Sequence, residues 1–171
     1  MKDVILLYKD CCIYEIVNTC YYLKYSGADV IFAALDTKPV KTMEGFSINA
    51  DCLLNEVDLS GVRSLIIPGG DVKNIRNCAV KDFIRKEFSE GKLVAAICAA
   101  VDIADEAGIL EGIASTHSTE KDCVTDCNVI TARANAYIDF GIEIAKYLGL
   151  FSDENDLNET VDFWKYFRRM Q

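Results

Sequence analysis

The chain has a single histidine in 171 residues, too few imidazoles for a histidine-based metal set. Basic residues are also scarce: 18 Lys and Arg stand against 27 Asp and Glu, for a net charge of -9. Binding a phosphate backbone requires a basic face, so this balance argues against nucleic acid as a partner. The one dense basic pair, Arg168-Arg169, is too short to make a patch. No apolar run approaches the ~20 residues of a spanning helix. The N-terminal run, Val4 to Leu7, is too short for a signal-peptide core and is soon broken by Lys9 and Asp10. A cytoplasmic protein without a membrane partner is expected. Internal repeats, low-complexity tracts and interdomain linkers are absent too.

Cysteine is abundant, with eight residues at positions 11, 12, 20, 52, 78, 98, 123 and 127. In a reducing compartment most are free thiols, and buried Cys packs as a small hydrophobe. The adjacent Cys11-Cys12 and the four-residue step from Cys123 to Cys127 give no CxxC pair, so no metal is expected. A hydrophobic share of 51% with 26% charged residues suits a single compact domain over residues 1–171.

Short apolar runs alternate with helical patterns. Strands are expected at Asp3–Tyr8, Asp29–Leu35, Arg63–Pro68 and Lys92–Ile97, with a strand pair around Cys123–Ala132. Helical spacing runs from Ile13 to a stop at Gly27, from Val80 to Phe88, from Ala99 to Ala107 and from about Ala136 to Gly149. Residues 38–57 read as irregular, with a hairpin around Phe46 to Leu54. Leu157, Val161 and Trp164 mark a last helix, with Ser152, Asp153 or Asp156 as its cap. Near-continuous apolar strands alternating with helices predict a flavodoxin-like three-layer α/β/α sandwich on a mostly parallel sheet.

In such sheets ligands bind beyond the carboxyl ends of the strands. Cys98 stands there, between a strand and a helix, among Ala95, Ala96, Ala99 and Ala100. A helix start lowers a thiol pKa and favours the nucleophilic thiolate. Small neighbours permit the sharp turn of a nucleophile elbow. The spacing equally fits a buried Cys in a tight turn. Gly69-Gly70 ends another strand, where bare N–H groups could make an oxyanion pocket with that of Ala99, or a plain turn. That pair lacks the lysine and spacing of a phosphate loop, so no nucleotide cofactor is expected.

Taken together, IIPGGDVKNIRN and KLVAAICAAVDIADEAGIL resemble the glycine turn and nucleophile elbow of the DJ-1/PfpI (ThiJ/PfpI) family. YEIV (Tyr14 to Val17), STHS and VITARANAYIDFGIEIAKYLG resemble its acidic first-helix segment, histidine loop and final strand–helix unit. The match runs in order over about residues 3–150, is closest to the DJ-1/ThiJ-like branch, and leaves 151–171 as a C-terminal helical extension. The resemblance implies that Cys98 is the reactive cysteine and that Glu15 reaches its sulfur. Without it, Glu15 would read as a solvated helix residue. It further implies a place near the cysteine for His117 as general acid/base, a pocket or dimer role for Arg133, and a homodimer.

Departures narrow the reading. Ala99 follows the cysteine where the protease-like branch has histidine, and no later His-x-Glu pair exists for a glutamine amidotransferase. Ala100-Val101 stands where the family commonly has Gly-Pro, and Asn135 replaces a glycine. The expected activity is of glyoxalase, deglycase or amidase type on a small-molecule carbonyl or amide substrate. The alternatives are an oxidative-stress sensor or protective chaperone-like protein that forms a cysteine sulfinate without turnover, and a non-catalytic partner-binding module. The aromatic tail, Phe163 to Phe167, would cover the core or join an interface.

Overall fold

The computed structural model describes residues 1–169. Seven strands form the main sheet: β1 (Lys2–Leu7), β2 (Asp29–Ala34), β5 (Cys52–Leu53), β6 (Val62–Ile67), β7 (Leu93–Ile97), β8 (Cys123–Asp126) and β9 (Val129–Ala132). Their order is β5-β2-β1-β6-β7-β9-β8. All neighbours are parallel except the β8–β9 pair at the edge. The helices are α1 (Val17–Tyr25), α2 (Cys78–Ser89), α3 (Ala100–Glu106), α4 (Tyr137–Tyr147) and α5 (Glu154–Trp164). One layer pairs α1 with α4, and the other pairs α2 with α3.

The reason for this architecture lies in the central strands. Val4–Leu7, Leu65–Ile67 and Val94–Ile97 are buried on both faces, which a parallel sheet requires of its middle. Burying these aliphatic side chains is the main driving force, at about 1.5–3 kcal/mol for each large one. Asp3 is the polar exception. It is fully buried, but Arg63 Nε and Nη2 each bond it at 2.8 Å and Ser64 Oγ at 2.7 Å. That network ties β1 to β6. After β5 the chain recrosses to the other side of β1, so the strand order reverses between β1 and β6. A crevice for ligands opens at such a reversal.

Three expectations shift. The hairpin forms earlier than expected, from β3 (Val40–Lys41) and β4 (Ser47–Ile48). Thr42 closes its turn: Thr42 N donates to Phe46 O at 3.0 Å and Thr42 Oγ1 accepts from Phe46 N at 3.2 Å. Residues 52–53 then join the main sheet beside β2. The first helical segment opens as a tight turn at Tyr14–Ile16 before α1 proper. At α5 Asp153 is the cap, its carboxylate accepting from Asp156 N at 2.9 Å. Trp164 of α5 rests on Tyr21 and Tyr22 of α1, while Tyr166 and Phe167 of the aromatic tail stay exposed. Among the described residues no helix is long and apolar enough to cross a membrane.

Candidate active site

Three neighbouring strands end together and deliver the site. β7 runs straight into Cys98, whose φ of 57° lies in the left-handed region that L-residues avoid. Cys98 N donates to Ala132 O at 2.8 Å, so the end of β9 holds the bend in place. The elbow expected from the small neighbours is present, and the thiol stands half-buried at its tip.

β6 supplies Gly69 and Gly70. Gly69 N donates to Glu15 Oε2 at 2.8 Å. A Cβ on Gly69 would lie 2.6 Å from that oxygen and 2.7 Å from Cys98 Cβ, so only glycine leaves room for acid and thiol to face each other. Gly70 has φ 123°, and a side chain there would collide with Asp10 O and Cys11 Cα. Both glycines are therefore fixed by sterics.

β1 leads into the third part. The turn Tyr14–Ile16 points Glu15 inward, where it is only 2% exposed. Burial pushes its carboxyl above the ordinary value, while the Gly69 N–H and the Cys98 thiol pull against that rise. Burial also pushes the Cys98 thiol up, the negative charge of Glu15 adds to this, and the Ala99 N–H opposes it. The sequence expectation of a thiol pKa depressed by the helix start is corrected here. Helix α3 has only seven residues, and its pull is outweighed by a half-buried site beside a carboxylate. The thiolate gains a favourable neighbour only when Glu15 carries the proton, because a neutral carboxyl donates a hydrogen bond where a carboxylate repels.

The remaining expected residues divide. Ala99 offers its N–H to the sulfur. Gly70 N has no hydrogen-bond acceptor among the described residues, so it is open to a ligand. Gly69 N is spent on Glu15, which removes it from an oxyanion role. The His117 ring lies between two carboxylates of α3. Nε2 is 3.3 Å from Asp102 Oδ1 and Nδ1 is 3.1 Å from Asp105 Oδ2. Arg133 is likewise turned to the loop at 116–122. Its guanidinium reaches Thr116 O and Thr119 O at 3.4 Å each and Asp122 Oδ1 at 3.4 Å. It braces that loop against the end of β9.

Two site residues carried no signal in the sequence. Tyr8 Oη donates to both Pro68 O (2.8 Å) and Gly69 O (2.6 Å), fixing the glycine turn from beneath. Cys12 N donates to Gly69 O at 2.8 Å, which brings a second thiol to the same turn. Burial, followed by the charge of Glu15, pushes that thiol up to about 12, so it stays protonated. A tyrosine closing a strand and a Cys-Cys pair in a loop look like core and packing until the fold places them. Among the described residues no group of three or more His, Cys, Asp or Glu could hold a metal ion.

Comparison with known proteins fits this geometry. A family model described as DJ-1/PfpI family matches residues 1–147. A deglycase of Pyrococcus furiosus is 32% identical over 100 residues, covering 57% of this chain and 60% of the relative. A glutathione-independent glyoxalase of Caenorhabditis elegans is 31% identical over 114 residues, covering 66% of this chain and 61% of the relative. In both cases the matched segment spans about three-fifths of the relative's length. Among solved structures, a DJ-1 superfamily protein from Agrobacterium tumefaciens superimposes with a TM-score of 0.87 at 26% identity, over 98% of this chain and 100% of that one.

Proposed function

The chain belongs to the DJ-1/PfpI family, and from that premise we propose that it is a glyoxalase- or deglycase-type enzyme in which Cys98 attacks small reactive carbonyl compounds. The observation that carries this reading is the meeting of Glu15 and Cys98 across Gly69. In the glyoxalase form, with methylglyoxal as substrate, the Cys98 thiolate adds to the aldehyde carbon and the C=O π electrons move to oxygen. The N–H groups of Gly70 and Ala99 receive that oxyanion. Glu15 gives it a proton and becomes the base that lifts the hydrogen from the same carbon. Return of this proton to the adjacent carbon gives a thioester. Water then cleaves the thioester to lactate and frees the thiolate. Overall, one methylglyoxal and one water give one lactate, with no net oxidation. In the deglycase form, the C–S bond forms as the C–N bond of the hemiaminal adduct breaks, Glu15 protonates the leaving amine or guanidine, and the same hemithioacetal results.

In this reading His117 and Arg133 position the loop between β7 and β8 and do no proton transfer. The enzyme works in the cytoplasm as a homodimer on a small-molecule substrate, residues 1–171 form one domain, and no cofactor enters the cycle. The decisive experiment follows lactate formation from methylglyoxal by the purified chain. Turnover is expected in the native protein and none in Cys98→Ser. A second reading, an oxidation sensor without turnover, draws on Glu15: a protonated carboxyl there suits a cysteine sulfinate as a hydrogen-bond acceptor. Absence of lactate, together with stoichiometric gain of two oxygens at Cys98 under mild peroxide, would replace the enzyme by the sensor.

A further inference from the structure

Away from Cys98, a cavity of about 370 Å³ opens between α1, the end of α4 and α5. That size lies within the range of small-molecule sites. Tyr21, Tyr22 and Tyr25 wall it from α1, and Phe163 and Trp164 from α5. The rings form one connected set. Tyr21 stacks on Tyr25 at 5.7 Å, and Trp164 stands 5.7 Å from Tyr21 and 6.4 Å from Tyr22. Aromatic faces carry negative charge density and attract cations, most strongly on tryptophan.

The polar part of the lining has the same sign. Asp156 and Glu159 face the cavity, and among the described residues no Lys or Arg lines it. Their hydrogen bonds come from neutral groups, Ser152 N and Oγ for Asp156 and Asn155 Nδ2 for Glu159, so neither charge is cancelled. Two nearby basic side chains are occupied: Lys165 pairs with Asp139 at 2.6 Å and Arg168 with Asp162 at 2.9 Å. Between Glu154 and Trp164 the helix has four carboxylates and no basic residue. An aromatic hollow with an acidic rim selects a ligand that is both apolar and positive. A hydrated metal ion would gain little from the rings, a neutral hydrocarbon would gain nothing from the carboxylates, and an anion would be repelled.

We propose that this cavity is a binding site for a small organic cation of the quaternary-ammonium class. The inference does not depend on the chemistry at Cys98. Trp164 is the only tryptophan in the chain, so its fluorescence reports on the cavity directly. The full chain is titrated with choline and, separately, with 3,3-dimethylbutanol, which has the same shape without the charge. Calorimetry on the same samples covers a silent optical response.

Choline is expected to bind saturably and at least about tenfold more tightly than its neutral isostere. Added salt should weaken choline alone. Tyr25 is 83% exposed, so Tyr25→Ala should leave the melting curve unchanged while weakening choline several-fold. Glu159→Gln should weaken choline and spare the isostere. Methylglyoxal turnover should be unaltered in both variants. Equal binding of the two probes would reduce the cavity to an apolar packing defect and overturn the proposal. No saturation by about 10 mM choline overturns it as well, as does a dimer whose second copy shields Trp164 from both probes.

Discussion

Glu15 Oε2 and Cys98 Cβ flank Gly69 so closely that a methyl group on that glycine would lie 2.6 Å from one and 2.7 Å from the other. The acid and the thiol thus meet through the absence of a side chain, in the turn after a strand that neither of them belongs to. Tyr8 holds the same glycine from the opposite side by bonding its carbonyl. The site is a contact among three chain segments, and its weak point is the residue with no side chain.

Gly69→Ala tests that contact. Cys98 Cβ belongs to a rigid elbow, so relief must come from Glu15 turning away or from the backbone moving. Overpacking of this kind costs about 1–3 kcal/mol. Urea unfolding should show the loss, and the variant should also lose methylglyoxal turnover. An unchanged midpoint with full turnover would show that the turn is loose enough to make room.

Glu15→Gln tests the buried acid through pH. Burial raises the Glu15 carboxyl above its ordinary 4.5, so the folded state holds this proton more tightly than the unfolded chain. The associated stability is fully present below about pH 4 and is lost as pH rises through the folded value. Glutamine is neutral throughout and can still accept from Gly69 N. The variant's stability relative to the native protein should therefore climb from its acid-pH baseline and level off above the folded value. Urea midpoints collected across that range check the sign, and a flat or falling difference refutes it.

Cys98→Gly and Cys98→Ala, taken together, isolate the backbone. With φ at 57°, an alanine keeps the left-handed cost of about 1–2 kcal/mol, whereas glycine escapes it. The glycine variant should be the more stable by about 1 kcal/mol, the reverse of the usual order. Both should be inactive. Thermal melts of the pair decide the matter, and an alanine variant at least as stable as the glycine one would show that the elbow holds no strain.

The frame of this site is legible in the sequence because it rests on local rules. Apolar runs ending in Gly69-Gly70 and at Cys98 announce strand ends, and Ala95 to Ala100 announce a tight turn. What escaped reading depends on distant partners. Residues 52–53 pair with β2 over only two positions, too few to leave a pattern. Thr42 and Phe46 choose where the hairpin closes, through bonds that no periodicity encodes. No sequence pattern showed that Asp102 and Asp105, three apart on α3, would clamp the ring of the lone histidine. The helix start suggested a depressed Cys98 pKa, whereas burial and Glu15 set the opposite direction.

His117→Ala follows from that clamp. The pairs with Asp102 and Asp105 are solvent-exposed, and such pairs are worth about 0–1 kcal/mol. Turnover of methylglyoxal should stay within about fivefold of the native protein, with a small fall in melting temperature. A collapse as deep as that of Cys98→Ser would restore the histidine to the chemistry and displace Glu15 as the only proton carrier.

The alignment of β1, β6 and β7 has a consequence for newly made chains. An unfolded molecule carries eight thiols of nearly the same character, and nothing in its backbone singles one out. Glu15, Gly69 and Cys98 become neighbours only when those three strands have come into register. The distinct chemistry of one sulfur is then a clock for assembly of the sheet's centre, readable by racing a thiol label against refolding.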